Sequence, residues 1–184
     1  MKRALSDSTI VITGASSGFG RGTALRLAKE YGCNLVLGAR SPNSLAEVAR
    51  DCEAAGARAV SVTCDVGRAD DIERLASTAR SKFGGFDIWI NNAGICALGR
   101  FEDIPLADHE KLVQTNLLGT LYGSYTAMGH FRKTHRDAAL KVNRLLKFYL
   151  PRRTRRSQRQ WKKKGARKQA SSMLEANLAI YFYF

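Results

Sequence analysis

The chain is 184 residues long, 45% hydrophobic and 25% charged, with a formal net charge of +14; this is length for one domain with its own core and an ordinary soluble composition. No apolar run approaches the ~18 residues of a membrane span, and Met1-Lys2-Arg3 leads at once into a short strand and a glycine turn rather than a signal peptide. Cys33, Cys52, Cys64 and Cys96 form no Cys-x-x-Cys pair and no ligand spacing with the histidines, so no metal site is expected and the thiols read as reduced and mostly buried in a cytoplasmic protein.

Thr9 to Thr13 is a β-branched run closed by Gly14, and Gly18 to Tyr31 carries apolar residues near helical spacing, giving strand, turn, helix. Asn34 to Gly38 predicts a second strand. Ser41-Pro42 then supplies a capping hydroxyl and a proline for the first helical position, and the helix runs to about Ala55, where Gly56 ends it. Ala59 to Thr63 predicts a third strand, Arg68 to Phe83 a helix stopped by Gly84-Gly85, and Asp87 to Ile90 a fourth strand. A long helical segment begins near Leu106 or Asp108 and passes Val113, Leu117, Leu118 and Leu121 toward Phe131. Apolar strands separated by crossover helices require a sheet covered on both faces. The expected fold class is therefore α/β, a Rossmann-type doubly wound parallel sheet of order 3-2-1-4, truncated after about four strands.

Beyond Phe131 the sequence changes kind. Residues 1–131 carry 14 Lys and Arg against 14 Asp and Glu, and the remainder carries 16 against only Asp137 and Glu175. Of the 16 glycines, only Gly165 lies after Phe131. The chain accordingly divides into a domain over 1–131 and a basic tail over 132–184. Within the tail, Ala138 to Leu150 has the pattern of an amphipathic helix stopped by Pro151, and Arg152 to Lys168 holds ten basic residues and no acidic one. Such a block repels itself and has little apolar area to bury, which predicts disorder. With Trp161 inside it, its composition suits contact with nucleic acid or an anionic membrane. Two other readings stay open: a solvated tail without a partner, and the product of an altered reading frame or a different exon.

Thr13-Gly14-Ala15-Ser16-Ser17-Gly18-Phe19-Gly20 lies between a predicted strand and a predicted helix. Glycines let the backbone turn sharply and approach a ligand, and a helix N-terminus offers free amides to a pyrophosphate. The spacing is Gly-x-x-x-Gly-x-Gly. Together with Cys64-Asp65-Val66 after the third strand, Asn91-Asn92-Ala93-Gly94 after the fourth and Thr115-Asn116-Leu117-Leu118-Gly119 in the long helix, it resembles the short-chain dehydrogenase/reductase family over about Ser8 to Arg132. The resemblance implies a dinucleotide cofactor and reversible hydride transfer on small alcohols or carbonyls. It assigns Gly14, Ser16, Ser17, Gly18, Phe19 and Gly20 to the phosphate turn, Asp65 and Val66 to the adenine side, Asn92, Ala93 and Gly94 to the sheet and cleft, and Asn116 to the proton-relay helix. It leaves the substrate and the oligomeric state open.

Arg40 stands 20 residues past Gly20, where dinucleotide folds that take NAD commonly place a carboxylate. A guanidinium there suits a 2′-phosphate, with Ser16 beside it, so NADP is expected over NAD. The family's chemistry also needs a serine, a tyrosine and a lysine four residues after that tyrosine. Four residues after Tyr31, Tyr122, Tyr125 and Tyr149 stand Leu35, Thr126, Gly129 and Arg153, and Tyr181 and Tyr183 lie too near the end. Pro151 breaks the Tyr149-Arg153 spacing, Ser171-Ser172 lies in a polar segment, and no apolar fifth strand ending in serines follows Phe131. The expectation is a family member without its catalytic Tyr and Lys, inactive as it stands. The alternatives are a protein that only binds a dinucleotide, and one that works through its basic tail.

Overall fold

The computed structural model describes residues 4–134 and 139–142. The basic block over 152–168, Tyr149, Trp161 and Ser171-Ser172 lie outside the described residues. The strands are β1 Thr9–Thr13, β2 Asn34–Ala39, β3 Arg58–Thr63, β4 Ile88–Asn91 and β5 Ala139–Val142; the helices are α1 Gly18–Tyr31, α2 Pro42–Ala54, α3 Ala69–Phe83, α4 Leu106–Leu112 and α5 Gly119–Thr134. The sheet runs β3-β2-β1-β4-β5. β1 is central and parallel to both neighbours, Val11 facing Val36 on one side and Trp89 on the other, and β3 continues the parallel set with Val36 opposite Val60. The order 3-2-1-4 is the one expected.

Alternation along the strands sorts the core into two faces. Ile10, Ile12, Leu35 and Leu37 join one cluster with Ala24 and Ala28 of α1 and Leu45, Val48 and Cys52 of α2. In α1 the buried residues Gly20, Ala24 and Ala28 recur every fourth position and are all small, which lets the helix lie close to the sheet. On the other face α3 buries Ile72, Leu75, Ala76 and Ala79. Leu75 sits over Gly38, where an added Cβ would come within 2.9 Å of Leu75 Cδ2. α5 closes that layer, its His130 stacked on Phe86 with ring centroids 4.1 Å apart, and Phe86 tilted against the fully buried Trp89.

Three local expectations change. Ser41 is the N-cap of α2 and Pro42 its first residue, but the Ser41 hydroxyl bonds to Ser44 Oγ at 3.1 Å instead of a backbone amide. The long helix is interrupted by a π-helical turn, Val113–Leu118, between α4 and α5. The sequence shows no sign of it because the apolar spacing runs on unbroken. Thirdly, β5 at 139–142 stands within the span of the helix expected over 138–150, whose other residues lie outside the described residues. The open edge of β4 presents unpaired backbone groups, and a short segment ending in a β-branched residue satisfies them. β5 therefore occupies the place where no fifth strand was expected, and the sequence puts no serine at its end, where Asn143 follows.

Among the described residues no helix is long and apolar enough to cross a membrane. Cys33, Cys52 and Cys64 are buried and unpaired, and Cys96 is exposed.

Candidate functional site

Parallel strands bring their carboxyl ends to one edge of the sheet, and the segments that follow β1, β2, β3 and β4 meet there. The turn after β1 needs a left-handed backbone at Gly14 (φ 66°) and Gly18 (φ 52°), which glycine adopts without steric cost. Gly14 is also a point of contact, since a Cβ there would lie 2.7 Å from Ala93 Cα. Gly20 faces Gly14 O and Asn92 Nδ2 so closely that any side chain would displace them.

A set of hydrogen bonds laces this turn to the end of β4. Asn92 Nδ2 donates to Thr13 O at 3.0 Å and to Gly14 O at 3.1 Å, and the amides of Asn92 and Ala93 donate to Thr13 Oγ1 at 3.1 and 3.2 Å. The Thr13 hydroxyl in turn donates to Ile90 O at 3.4 Å. The Asn92 side chain thus shapes the cleft by holding its floor. Thr13 was not singled out as a site residue, although a threonine at the end of a strand, directly before the glycines, is a sequence-visible candidate for this lock.

The turn itself is open. Ser17, Gly18 and Phe19 are exposed and Ser16 is half-buried, and a Cβ on Gly18 would meet nothing within 4 Å. The first bond of α1 is Arg21 N to Ser17 O at 3.1 Å, so the amides of Gly18, Phe19 and Gly20 precede the intrahelical ladder. No acidic residue lies in the first turn of α1. Free amides, a positive dipole end, open space and no opposing carboxylate fit a pyrophosphate.

Arg40 follows β2 directly, beside the glycine turn, because β1 and β2 are paired up to Thr13 and Gly38 and Ala15 N donates to Gly38 O at 3.1 Å. Its side chain is exposed and makes no ion pair among the described residues. Arg21, in the first turns of α1, is already engaged by Asp51 at 3.1 Å and Glu47 at 3.4 Å of α2.

After β3, Asp65 Oδ1 accepts from Gly67 N at 3.0 Å and Asp65 N donates to Asp71 Oδ2 at 2.9 Å. Asp71 organises this loop. The amide bond from Asp65 holds the Asp71 carboxyl below the usual carboxylate range, with Arg74 at 2.9 Å and Arg68 assisting against the cost of burial. Sequence reasoning passed over Asp71, whose signal is an acid in the first turn of a helix. Val66 is buried against α5, where a Cβ on Gly119 would fall 2.7 Å from Val66 Cγ2; what it can offer a ligand is backbone. Asn116, in the π-helical turn, donates through Nδ2 to Ile95 O at 2.8 Å and accepts from Ile95 N at 2.9 Å, and Gly94 lies exposed beside it. Asn91 is buried one residue before Asn92. It accepts from Trp89 Nε1 at 2.8 Å and donates to Ser124 Oγ at 3.1 Å, which fastens α5 to β4.

A family model for short chain dehydrogenases matches residues 8–143. The chain belongs to the short-chain dehydrogenase family. The match passes Phe131, where composition changes, and takes in β5. The chain is 42% identical over 127 residues to the uncharacterized oxidoreductase YxnA of Bacillus subtilis, an alignment that covers 69% of this chain and 35% of that protein. Among solved structures, it superposes on a short-chain dehydrogenase/reductase from Burkholderia phymatum in complex with NAD at a TM-score of 0.71 and 30% identity, covering 73% of this chain and 48% of that one. An alcohol dehydrogenase from Thermococcus sibiricus complexed with 5-hydroxy-NADP gives a TM-score of 0.68 at 29% identity, covering 73% and 57%. The chain thus spans about a third to just over half of the length of these relatives. Its relatives carry either dinucleotide, so kinship alone does not choose between them.

Proposed function

We propose that this chain is a dinucleotide-binding unit of an oxidoreductase acting on alcohol and carbonyl groups, that it takes NADP(H) in preference to NAD(H), and that as it stands it binds the cofactor without turning over substrate. The observation that carries the preference is Arg40, exposed beside the glycine turn with no carboxylate partner among the described residues. A guanidinium engaged by an acid has little to offer a 2′-phosphate. A free one gains a charge-assisted contact of about 1.5–3 kcal/mol, tenfold or more in affinity. Residues 1–131 form the binding domain in this reading, with Ser16, Ser17, Gly18 and Phe19 at the pyrophosphate, Asp65 and Val66 at the adenine, and Asn92, Ala93, Gly94 and Asn116 along the nicotinamide side. When bound, the nicotinamide supplies the hydride chemistry; the chain's own residues bind and orient it. Buried unpaired thiols support a reducing, cytoplasmic setting.

Calorimetric titration of the full chain with NADP and NAD tests the preference. NADP should bind at least about tenfold more tightly, and Arg40→Asp should reverse the order. Equal affinities in the unmodified chain would remove Arg40 from the site.

A further inference from the structure

The π-helical turn Val113–Leu118 is gripped by two different loops. Near its start, Gln114 Nε2 donates to Gly67 O in the loop after β3, and the two residues are so close that a Cβ on Gly67 would lie 2.7 Å from Gln114 Cγ. Two residues on, Asn116 makes its paired bonds with Ile95 in the segment after β4. Positions two apart point to opposite sides of a helix, so one turn of chain reaches both loops. Just past the turn, Gly119 receives Val66, again from the loop after β3. That loop carries Asp65, and the segment after β4 carries Asn92, Ala93 and Gly94.

We propose that Gln114 is a positioning residue that couples the adenine side of the cleft to the nicotinamide side. This rests on the dinucleotide reading above. A ligand seated against Asp65 and Val66 fixes the loop, and the bond to Gly67 O then holds the π-helical turn in register. Asn116, carried on the same turn, keeps the backbone of Ile95 in place. The turn is suited to this work because it has an alternative. It holds one residue more than the α-helix it interrupts, and passing that residue along the helix restores α geometry while rotating Gln114 and Asn116 away from both partners together. Coupling between two sites needs an element with two arrangements that both sites bias, and a π-helical turn bonded to both loops is such an element. Gln114 makes its contact through a side chain to a backbone carbonyl, so the interaction can be removed without touching the ligand.

The test uses the full 184-residue chain and 2′,5′-ADP, which carries the adenine side without the nicotinamide. Hydrogen exchange of the Ile95 amide is followed with and without saturating 2′,5′-ADP. In the unmodified chain the nucleotide should slow exchange at Ile95 about tenfold; in Gln114→Met, which keeps length and loses the donor, the nucleotide should still bind within about threefold while the slowing at Ile95 falls below about twofold. Gln114→Lys, which returns a donor, should restore the effect. A purely structural role would change exchange at Ile95 equally with and without nucleotide. The coupling is overturned if 2′,5′-ADP binds the unmodified chain and leaves Ile95 unchanged, or if Gln114→Met transmits the slowing in full. Absence of any binding to the unmodified chain overturns the site reading itself, and the coupling falls with it. If Gln114→Met does not unfold cooperatively, Gln114→Glu, similar in shape and without a donor at neutral pH, takes its place under the same criteria.

Discussion

Gly123 and Gly129 lie in the same helix, α5, and replacing each with alanine should move stability in opposite directions. An alanine in a helix interior is favoured over glycine by about 1 kcal/mol because less backbone entropy is lost. At Gly129, which is exposed, an added Cβ meets nothing within 4 Å, so Gly129→Ala should gain that amount. At Gly123 the Cβ would lie 2.8 Å from Trp89 Nε1 and would overlap Asn91 Oδ1. Those two atoms are bonded to one another at 2.8 Å, Trp89 is fully buried, and Asn91 also holds Ser124, so neither can give way without leaving a buried polar group unpaired. Overpacking costs about 1–3 kcal/mol and an unsatisfied buried group a similar amount. Net of the helix gain, Gly123→Ala should lose about 1–5 kcal/mol, a large part of a domain's total. Urea unfolding followed by circular dichroism reads both, as shifts in midpoint at unchanged slope. A Gly123→Ala chain as stable as the unmodified one would refute the packing of α5 on β4 through Asn91.

Acid should loosen the loop after β3 through Asp71. Its carboxyl is held below the ordinary range chiefly by the amide of Asp65 and then by Arg74 and Arg68, so the stability it contributes is present above the unfolded value of about 3.9 and is lost as pH falls through the folded one. Asp71→Asn should therefore be less stable at neutral pH and show a shallower fall in stability below about pH 4; an unchanged acid profile would remove Asp71 from that role. For the thiols, burial pushes Cys52 up to about 11 and Cys64 to about 12, and since the thiolate is the reactive form, iodoacetamide at pH 8 should label Cys96 first. Mass spectrometry of the native chain should show one rapid adduct, with Cys33, Cys52 and Cys64 labelled only on unfolding. A second rapid adduct would contradict their burial.

The strands, the helices and the order 3-2-1-4 were legible because strand periodicity, helix stops at Gly56 and Gly84, and right-handed crossovers are local or topological rules that need no partner to be known. The positions of the glycine turn and of Arg40 were legible for the same reason, each being fixed by its place after a strand. What escaped depends on tertiary contact. The π-helical turn is invisible in an apolar pattern that fits an α-helix equally well. β5 forms because β4 has an edge to cover, which no property of Ala139 to Val142 announces against the helical spacing of the surrounding residues. Asp71 and Thr13 act by bonding to backbone groups of other segments. Asn92 and Asn116 stand out in the sequence as candidate site residues, and the structure shows their side-chain amides engaged by Thr13, Gly14 and Ile95. They act on the cleft by holding its walls.

That distribution of roles bears on turnover. Reduction of a carbonyl requires a proton for the developing oxygen, and a tyrosine, ordinarily titrating near ~10, needs a neighbouring positive charge to deliver it at neutral pH. Among the described tyrosines, Tyr31 ends α1, at the far end of the helix from the glycine turn, and Tyr122 and Tyr125 lie on α5 with Thr126 and Gly129 four residues on. None has a lysine one helical turn away. General acid assistance is worth ~10²–10⁴-fold, and alignment of the substrate oxygen adds to it. The unmodified chain should therefore oxidise NADPH with a panel of aldehydes and ketones at least ~10²-fold more slowly than a chimera in which residues after Arg132 are replaced by a relative's strand, serine and Tyr-x-x-x-Lys helix. NADPH binding measured on both chains separates loss of chemistry from loss of the site. Equal turnover at equal occupancy would show that the chain holds an acid at a spacing other than Tyr-x-x-x-Lys, and substitution of Tyr122, Tyr125 and Tyr149 in turn would find it.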